Sequence, residues 1–166
     1  MFQRINDYKV LLYRIFLAYV FYFFARILFY FYNSEIIIIN DFYEFIELCF
    51  IGLTFDTTSI LYVNAIFIII SLLPFHLIST KSSQKKLFLL YFSFNGLAYA
   101  TNFFDFIYYK FSQSRLTTTI FDIVGNESNK LDLLGSFIIN YWHVFALYFL
   151  LIFYWTYLYK KVEIKP

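Results

Sequence analysis

The chain has 166 residues, of which 61% are hydrophobic, 27% aromatic and 14% charged, with a net charge of +2 and a mean hydropathy of +0.66. That composition leaves too little polar surface to cover a soluble domain, while uncharged runs reach the ~18–20 residues that span hydrocarbon. So small a net charge marks no nucleic-acid partner, and the single Cys49 gives neither a disulfide framework nor a thiolate metal cluster, which leaves it as an apolar filler.

In chain order, residues 1–9 form a polar leader with Arg4 and Lys9, and residues 10–32 are apolar apart from Arg14 and Arg26. This predicts a first spanning helix. Phe and Tyr crowd the stretch through Tyr32 and no small-x-small cleavage site follows, so it reads as an uncleaved anchor rather than a signal peptide. Arg14 can snorkel to the inner interface, whereas Arg26 lies too deep and must look outward or to a neighbour. Residues 33–58 contain Glu35, Asp41, Glu44, Glu47 and Asp56 with no Lys or Arg, and Phe42, Phe45, Ile46, Cys49 and Phe50 recur at helical spacing. The pattern predicts an amphipathic helix in the interface, begun by Asn40 or Asp41 and stopped near Gly52, with a plain connecting loop as the alternative.

Residues 59–79 form the second predicted span, with Asn64 near its start and Pro74 placed to kink its end. Residues 80–86, with Lys81, Lys85 and Lys86 and no acid, have the composition of a cytoplasmic turn. The third span, 87–109, carries Asn95, Asn102 and Asp105. In the polar outer segment 110–132, residues 117–124 suit a short helix closed by Gly125, and Asn129 with Asp132 suit the cap of the next one. The fourth span, 133–159, ends in Lys160, Lys161 and Lys165. The expected fold is one all-α membrane domain over 1–166, a bundle of four transmembrane helices with an interfacial amphipathic helix.

Arg4, Lys9, Arg14, Lys81, Lys85, Lys86, Lys160, Lys161 and Lys165 fall on one side, against Lys110, Arg115 and Lys130 on the other. The positive-inside rule then puts both termini in the cytoplasm, and the acidic 33–58 segment shares the outer face with 102–119. With four glycines and no Gly-x-x-x-Gly pair, large aromatic side chains and interhelical polar contacts must hold the bundle.

His76 and His143 stand singly in apolar helices, without a second His, Cys or carboxylate at metal-ligand spacing, which suits packed or interface roles. There is no Gly-rich phosphate loop or nucleophile elbow, and residues 117–119 read as a helix-start cluster. Asn126-Glu127-Ser128 matches a glycosylation acceptor, which is a chance match if the protein is bacterial. A rise of ~1.5 Å per residue puts Arg26 roughly 24 Å and Asp105 roughly 27 Å from the inner starts of their spans, so the two are expected to pair if those helices are neighbours, the alternative being that each reaches the interface by itself. Asn64, Asn102 and Asn140 fall within about 7–11 Å of the outer ends and join that polar layer, leaving Lys110 and Arg115 free to meet a lipid phosphate.

The stretches Gly52-Leu-Thr-Phe-Asp-Thr-Thr-Ser59, Asn102-Phe-Phe-Asp105-Phe-Ile-Tyr108 and Arg115-Leu-Thr117 resemble the amino-terminal membrane region of the lipoteichoic acid synthase-like sulfatase family, especially its Bacteroidetes members. Tyr62, Asn64, Leu73-Pro74 and Asn95 complete the pattern, which covers most of 48–166. The resemblance implies enzymes that transfer a phosphoglycerol or phosphoethanolamine headgroup from a phospholipid, or hydrolyse related esters, outside the membrane. It further implies a catalytic domain similar to alkaline phosphatase and sulfatases, with a Thr nucleophile and a divalent metal such as manganese, after a fifth spanning helix.

This sequence ends at Pro166, before that helix, so the resemblance implies a truncated or split product, or an isolated membrane part, inactive alone and without a cofactor. Its expected role is a membrane anchor and lipid-facing platform in the bacterial inner membrane. Membrane phospholipid and a missing or separately encoded sulfatase-like domain are the expected partners. The candidate polar cluster or headgroup surface comprises Arg26, Asp56, Asn64, Asn102, Asp105, Tyr108, Lys110, Arg115 and Asn140. The alternative is a free-standing four-helix membrane scaffold or accessory protein; a small transporter is a weaker reading, because such paths show more intramembrane charge on facing helices.

Overall fold

A computed structural model describes residues 2–73, 80–115 and 136–162, and the side chains from residue 6 onward within them. These residues are helical, with short turns and no strand. The helices are α1 (Phe2–Tyr32), α2 (Phe42–Ser71), α3 (Lys81–Ser112) and α4 (Trp142–Lys160), the last preceded by a helical turn over 136–140. The Pro74 kink, the short helix over 117–124 with Gly125, and the Asn129 and Asp132 caps lie outside the described residues.

The chain runs up and down. Arg26 of α1 meets Asp56 of α2, Phe67 of α2 packs on Tyr91 of α3, and Tyr148 of α4 packs on Phe103 of α3, so successive helices are antiparallel. The helix pair α1 and α3 forms the centre, each packing against both α2 and α4. Ala18 and Ala25, both fully buried, let other helices approach α1 closely. Around them, Phe21 stacks on Trp155 at 4.7 Å and Tyr99 sets an edge against both rings. Aromatic side chains therefore fill the core, as the shortage of small residues requires.

Two expectations about the elements are corrected. A helix stop near Gly52 is absent: the supposed interfacial helix and the second span are one continuous 30-residue helix. Asp41 caps it by accepting from the Glu44 N–H at 2.7 Å, while Glu44 accepts from the Asn40 N–H at 2.8 Å. The predicted segment 33–58 thus shrinks to a tight connection over 33–41, pinned where the Asn33 amide donates to Phe29 O. The stretch 80–86 is not a turn either: Thr80 caps α3, and Lys81, Lys85 and Lys86 ride on its first turns. At its other end Gln113 closes the helix in the left-handed conformation, φ 51°, donating to Tyr109 O at 2.9 Å.

Among the described residues, three helical stretches are long and apolar enough to cross a membrane: Asn6–Tyr32, Phe42–Ser71 and Trp142–Lys160. Their outward residues are large and apolar, among them Leu12, Phe16, Phe55, Tyr62, Ile69, Phe149 and Phe153. A soluble surface of this kind would aggregate, whereas lipid covers it. The helix α3 is longer but carries polar and charged residues at both ends and along its buried face.

Candidate functional site

Polar side chains are buried at successive levels of the bundle, and each is placed by helical spacing. Gly52 and Asp56 stand four apart on α2 and so share the face turned to α1. Arg26 lies across them: Nη2 donates to Asp56 Oδ1 at 2.6 Å and to Gly52 O at 2.9 Å, and Nε donates to Asp56 Oδ2 at 3.2 Å. The side chains are 8% and 10% exposed, so this two-pronged pair is a buried, charge-assisted contact. A Cβ on Gly52 would fall on the Arg26 guanidinium. The glycine is therefore a notch that admits the arginine.

Below this pair, Asn64 of α2 and Asn95 of α3, both fully buried, exchange amide hydrogen bonds at 3.0 and 2.7 Å. Each also donates to the carbonyl four residues back, Ile60 O and Tyr91 O, so neither amide nitrogen is wasted. Further down, the Tyr91 hydroxyl donates to Arg14 O at 2.7 Å, Arg14 donates to Gln84 Oε1 at 3.2 Å, and its guanidinium stacks 4.1 Å from the Tyr159 ring centre.

The opposite end has a different character. Lys110 Nζ rests 4.4 Å from the Tyr32 ring centre, and the left-handed turn at Gln113 returns the chain so that Arg115 lies 5.0 Å from the Phe29 ring centre. Ser112 ties this turn by accepting from the Ser114 N–H at 3.3 Å. A hydrogen bond of 3.0 Å joins the Tyr32 hydroxyl to His143 Nε2 on α4. Lys110, Arg115 and His143 are all exposed. Two basic side chains and a histidine thus converge around two aromatic rings of α1, in the geometry by which cations are held over π faces.

The predicted cluster is therefore divided. Arg26 pairs with Asp56 and not with Asp105, and Asp105 is buried on α3 at 8% exposure. With a helix stop near Gly52, Asp56 falls in the outer segment 33–58; continuity of α2 carries it into the bundle instead. Asn64 is a member of a polar pair, but its partner Asn95 was absent from the predicted set. Asn102 is half-buried and donates to Ala98 O of its own helix at 3.4 Å, Tyr108 is half-buried, and Asn140 is exposed rather than part of the expected polar layer. Lys110 rests over Tyr32 and Arg115 over Phe29, and His143 bonds the Tyr32 hydroxyl. Sequence reasoning missed Gly52 as a contact residue; the signal was its four-residue spacing from Asp56.

Among the described residues no three His, Cys, Asp or Glu side chains gather to hold a metal. A cleft of about 210 Å³ lies between α3 and α4, lined by Phe104, Ile107, Phe145 and Phe149, and another of about 480 Å³ lies beside the α1–α2 connection, lined by Tyr30, Ile37 and Phe45. Both are walled almost wholly by apolar side chains. The chain matches no protein-family model, no curated protein and no solved structure.

Proposed function

We propose that this chain is the membrane anchor and lipid-facing platform of a phospholipid headgroup transferase of the sulfatase-like class, whose catalytic domain is missing or separately encoded. All four helices cross a bacterial inner membrane in this reading, with both termini in the cytoplasm. The observation that carries it is the basic corner of Lys110, Arg115 and His143 over Tyr32 and Phe29. It lies one end of a helix away from the lysine-rich starts and ends of α3 and α4, so in this topology it faces outward at headgroup depth. Aromatic rings hold the cations in place while their N–H groups stay exposed. Anionic headgroups gain about 1 kcal/mol from each Lys or Arg near the surface, so two such residues favour an anionic lipid roughly 10–30-fold.

The test uses the full chain in nanodiscs of phosphatidylcholine with increasing phosphatidylglycerol, read by Trp142 fluorescence beside His143. Wild type is expected to respond to phosphatidylglycerol, and Lys110→Gln with Arg115→Gln to need roughly ten times more of it. Equal responses from wild type and the double variant would remove the headgroup role. The transferase assignment is tested separately, by cross-linking from Ser114→Cys to a co-expressed sulfatase-like domain encoded beside this chain. Absence of a specific cross-link favours the free-standing scaffold.

A further inference from the structure

The lysines that open α3 and close α4 meet on one ring. Lys160 Nζ lies 5.0 Å from the Phe88 ring centre, which joins the last turn of α4 to the second turn of α3. Lys81, Lys85, Phe88 and Phe92 recur at alternating four- and three-residue intervals, so they form one stripe along α3. Beyond the lysines, the rings of Phe88 and Phe92 lie 4.8 Å apart and pack on the Tyr159 ring of α4 at 5.6 and 5.3 Å. Three cations from two helices therefore stand at the end of an aromatic seam whose Phe88 and Phe92 are half-buried.

A topological signal needs only the number of lysines on one side, so it leaves their convergence on one seam unexplained. Lys81 and Lys85, four residues apart, repel each other on the helix surface. All three lysines are exposed, while the acid that the described residues place at this end, Asp7 of α1, is buried. The outer side of the group is therefore positive. Because α4 is long and apolar enough to cross a membrane from Trp142 to Lys160, its last lysine stands where hydrocarbon gives way to headgroups.

We infer that Lys81, Lys85 and Lys160 bind the phosphate of an anionic phospholipid whose acyl chains lie along the Phe88 and Phe92 seam. A lysine ammonium meets a phosphate as a point charge, and basic pockets between spanning helices favour anionic headgroups. A free phosphate would meet the same charges under full salt screening, whereas a lipid also covers the seam with its chains. The source is therefore the bilayer. This contact lies at the opposite end of α3 from Lys110 and Arg115, so it rests neither on their headgroup role nor on which end is cytoplasmic.

The test uses the full-length chain with Lys110→Gln and Arg115→Gln, which silences the opposite end, in nanodiscs of phosphatidylcholine with increasing phosphatidylglycerol. A polarity-sensitive fluorophore on Ser82→Cys, an exposed position beside Lys81, reads the lysine end. Its emission should change with phosphatidylglycerol, and adding Lys85→Gln and Lys160→Gln should raise the amount needed for half the change roughly 10–30-fold. Lys85→Arg with Lys160→Arg should keep the response, because the charge is retained. Phe88→Leu should raise the amount needed about 2–5-fold, because the ring that seats Lys160 is gone. An unchanged response in the glutamine pair overturns the inference. So does the same emission change on adding glycerol 3-phosphate to pure phosphatidylcholine nanodiscs, which would make this a site for free phosphate.

Discussion

At Gly52 a residue that ordinarily weakens a helix interior by roughly 1 kcal/mol relative to alanine is kept where only a hydrogen fits. Arg26 occupies the space that a side chain would need, and its guanidinium reaches Asp56 only by crossing that notch. Gly52→Ala should therefore destabilise the chain by on the order of 3 kcal/mol, since it displaces the arginine and leaves a buried carboxylate without its partner. The same substitution in an Arg26→Gln, Asp56→Asn background should be neutral or stabilising by about 0.5–1 kcal/mol, because alanine is then simply the better helix former. Denaturant titration in mild detergent measures both. A loss of similar size in the two backgrounds would mean that Gly52 serves something other than the arginine. Arg26 was legible in the sequence as an intramembrane cation in need of a partner, and Asp56 was legible as an acid. Their meeting was not, because a glycine read as a helix stop put the two on different sides of the interface.

On the scale of whole helices, capping was readable and register was not. Asp41 with Glu44 just inside an apolar run is a start signal that depends only on neighbouring residues, and the cap forms as expected. Which residue of α3 faces Asn64, by contrast, depends on how α2 and α3 slide past each other, and a period of 3.6 residues is silent on that. The structure sets Asn95 opposite Asn64, and the exchange of two amide bonds fixes the register of those helices. Interhelical polar contacts in membranes average about 0.6 kcal/mol and reach about 1.7, so this doubly bonded pair belongs near the upper figure. Asn95→Leu and Asn64→Leu should each cost about 1–2 kcal/mol, and the double variant distinctly less than their sum, because two apolar residues leave no buried amide unpaired. Strict additivity would mean that each asparagine acts through its own helix alone, by its bond to Ile60 O or Tyr91 O.

Over the whole molecule, the two ends of the bundle differ in what their charges do. Lys81, Lys85 and Lys86 begin α3 and Lys160 ends α4, so antiparallel packing brings these lysines to one end; Lys110 and Arg115 stand at the other, seated on aromatic rings. Retention of Lys and Arg on the cytoplasmic side depends on their number in short flanking segments, and the count favours the lysine end. In the proposed topology the basic corner is the translocated end, which its smaller number of cations permits. Ser82 and Ser114 are exposed near opposite ends of α3, and Cys49 is buried at 3% exposure, so the native thiol gives a quiet background. A membrane-impermeant maleimide applied to intact cells should label Ser114→Cys and leave Ser82→Cys unlabelled until the membrane is opened. Labelling in the reverse order would place the lysine end outside, and the basic corner would then face cytoplasmic lipid, where an extracellular headgroup has no access to it. Labelling of both sites in intact cells would mean that α3 does not cross the membrane, and its buried Asn95 and Tyr99 would have to be explained by packing among the other helices alone.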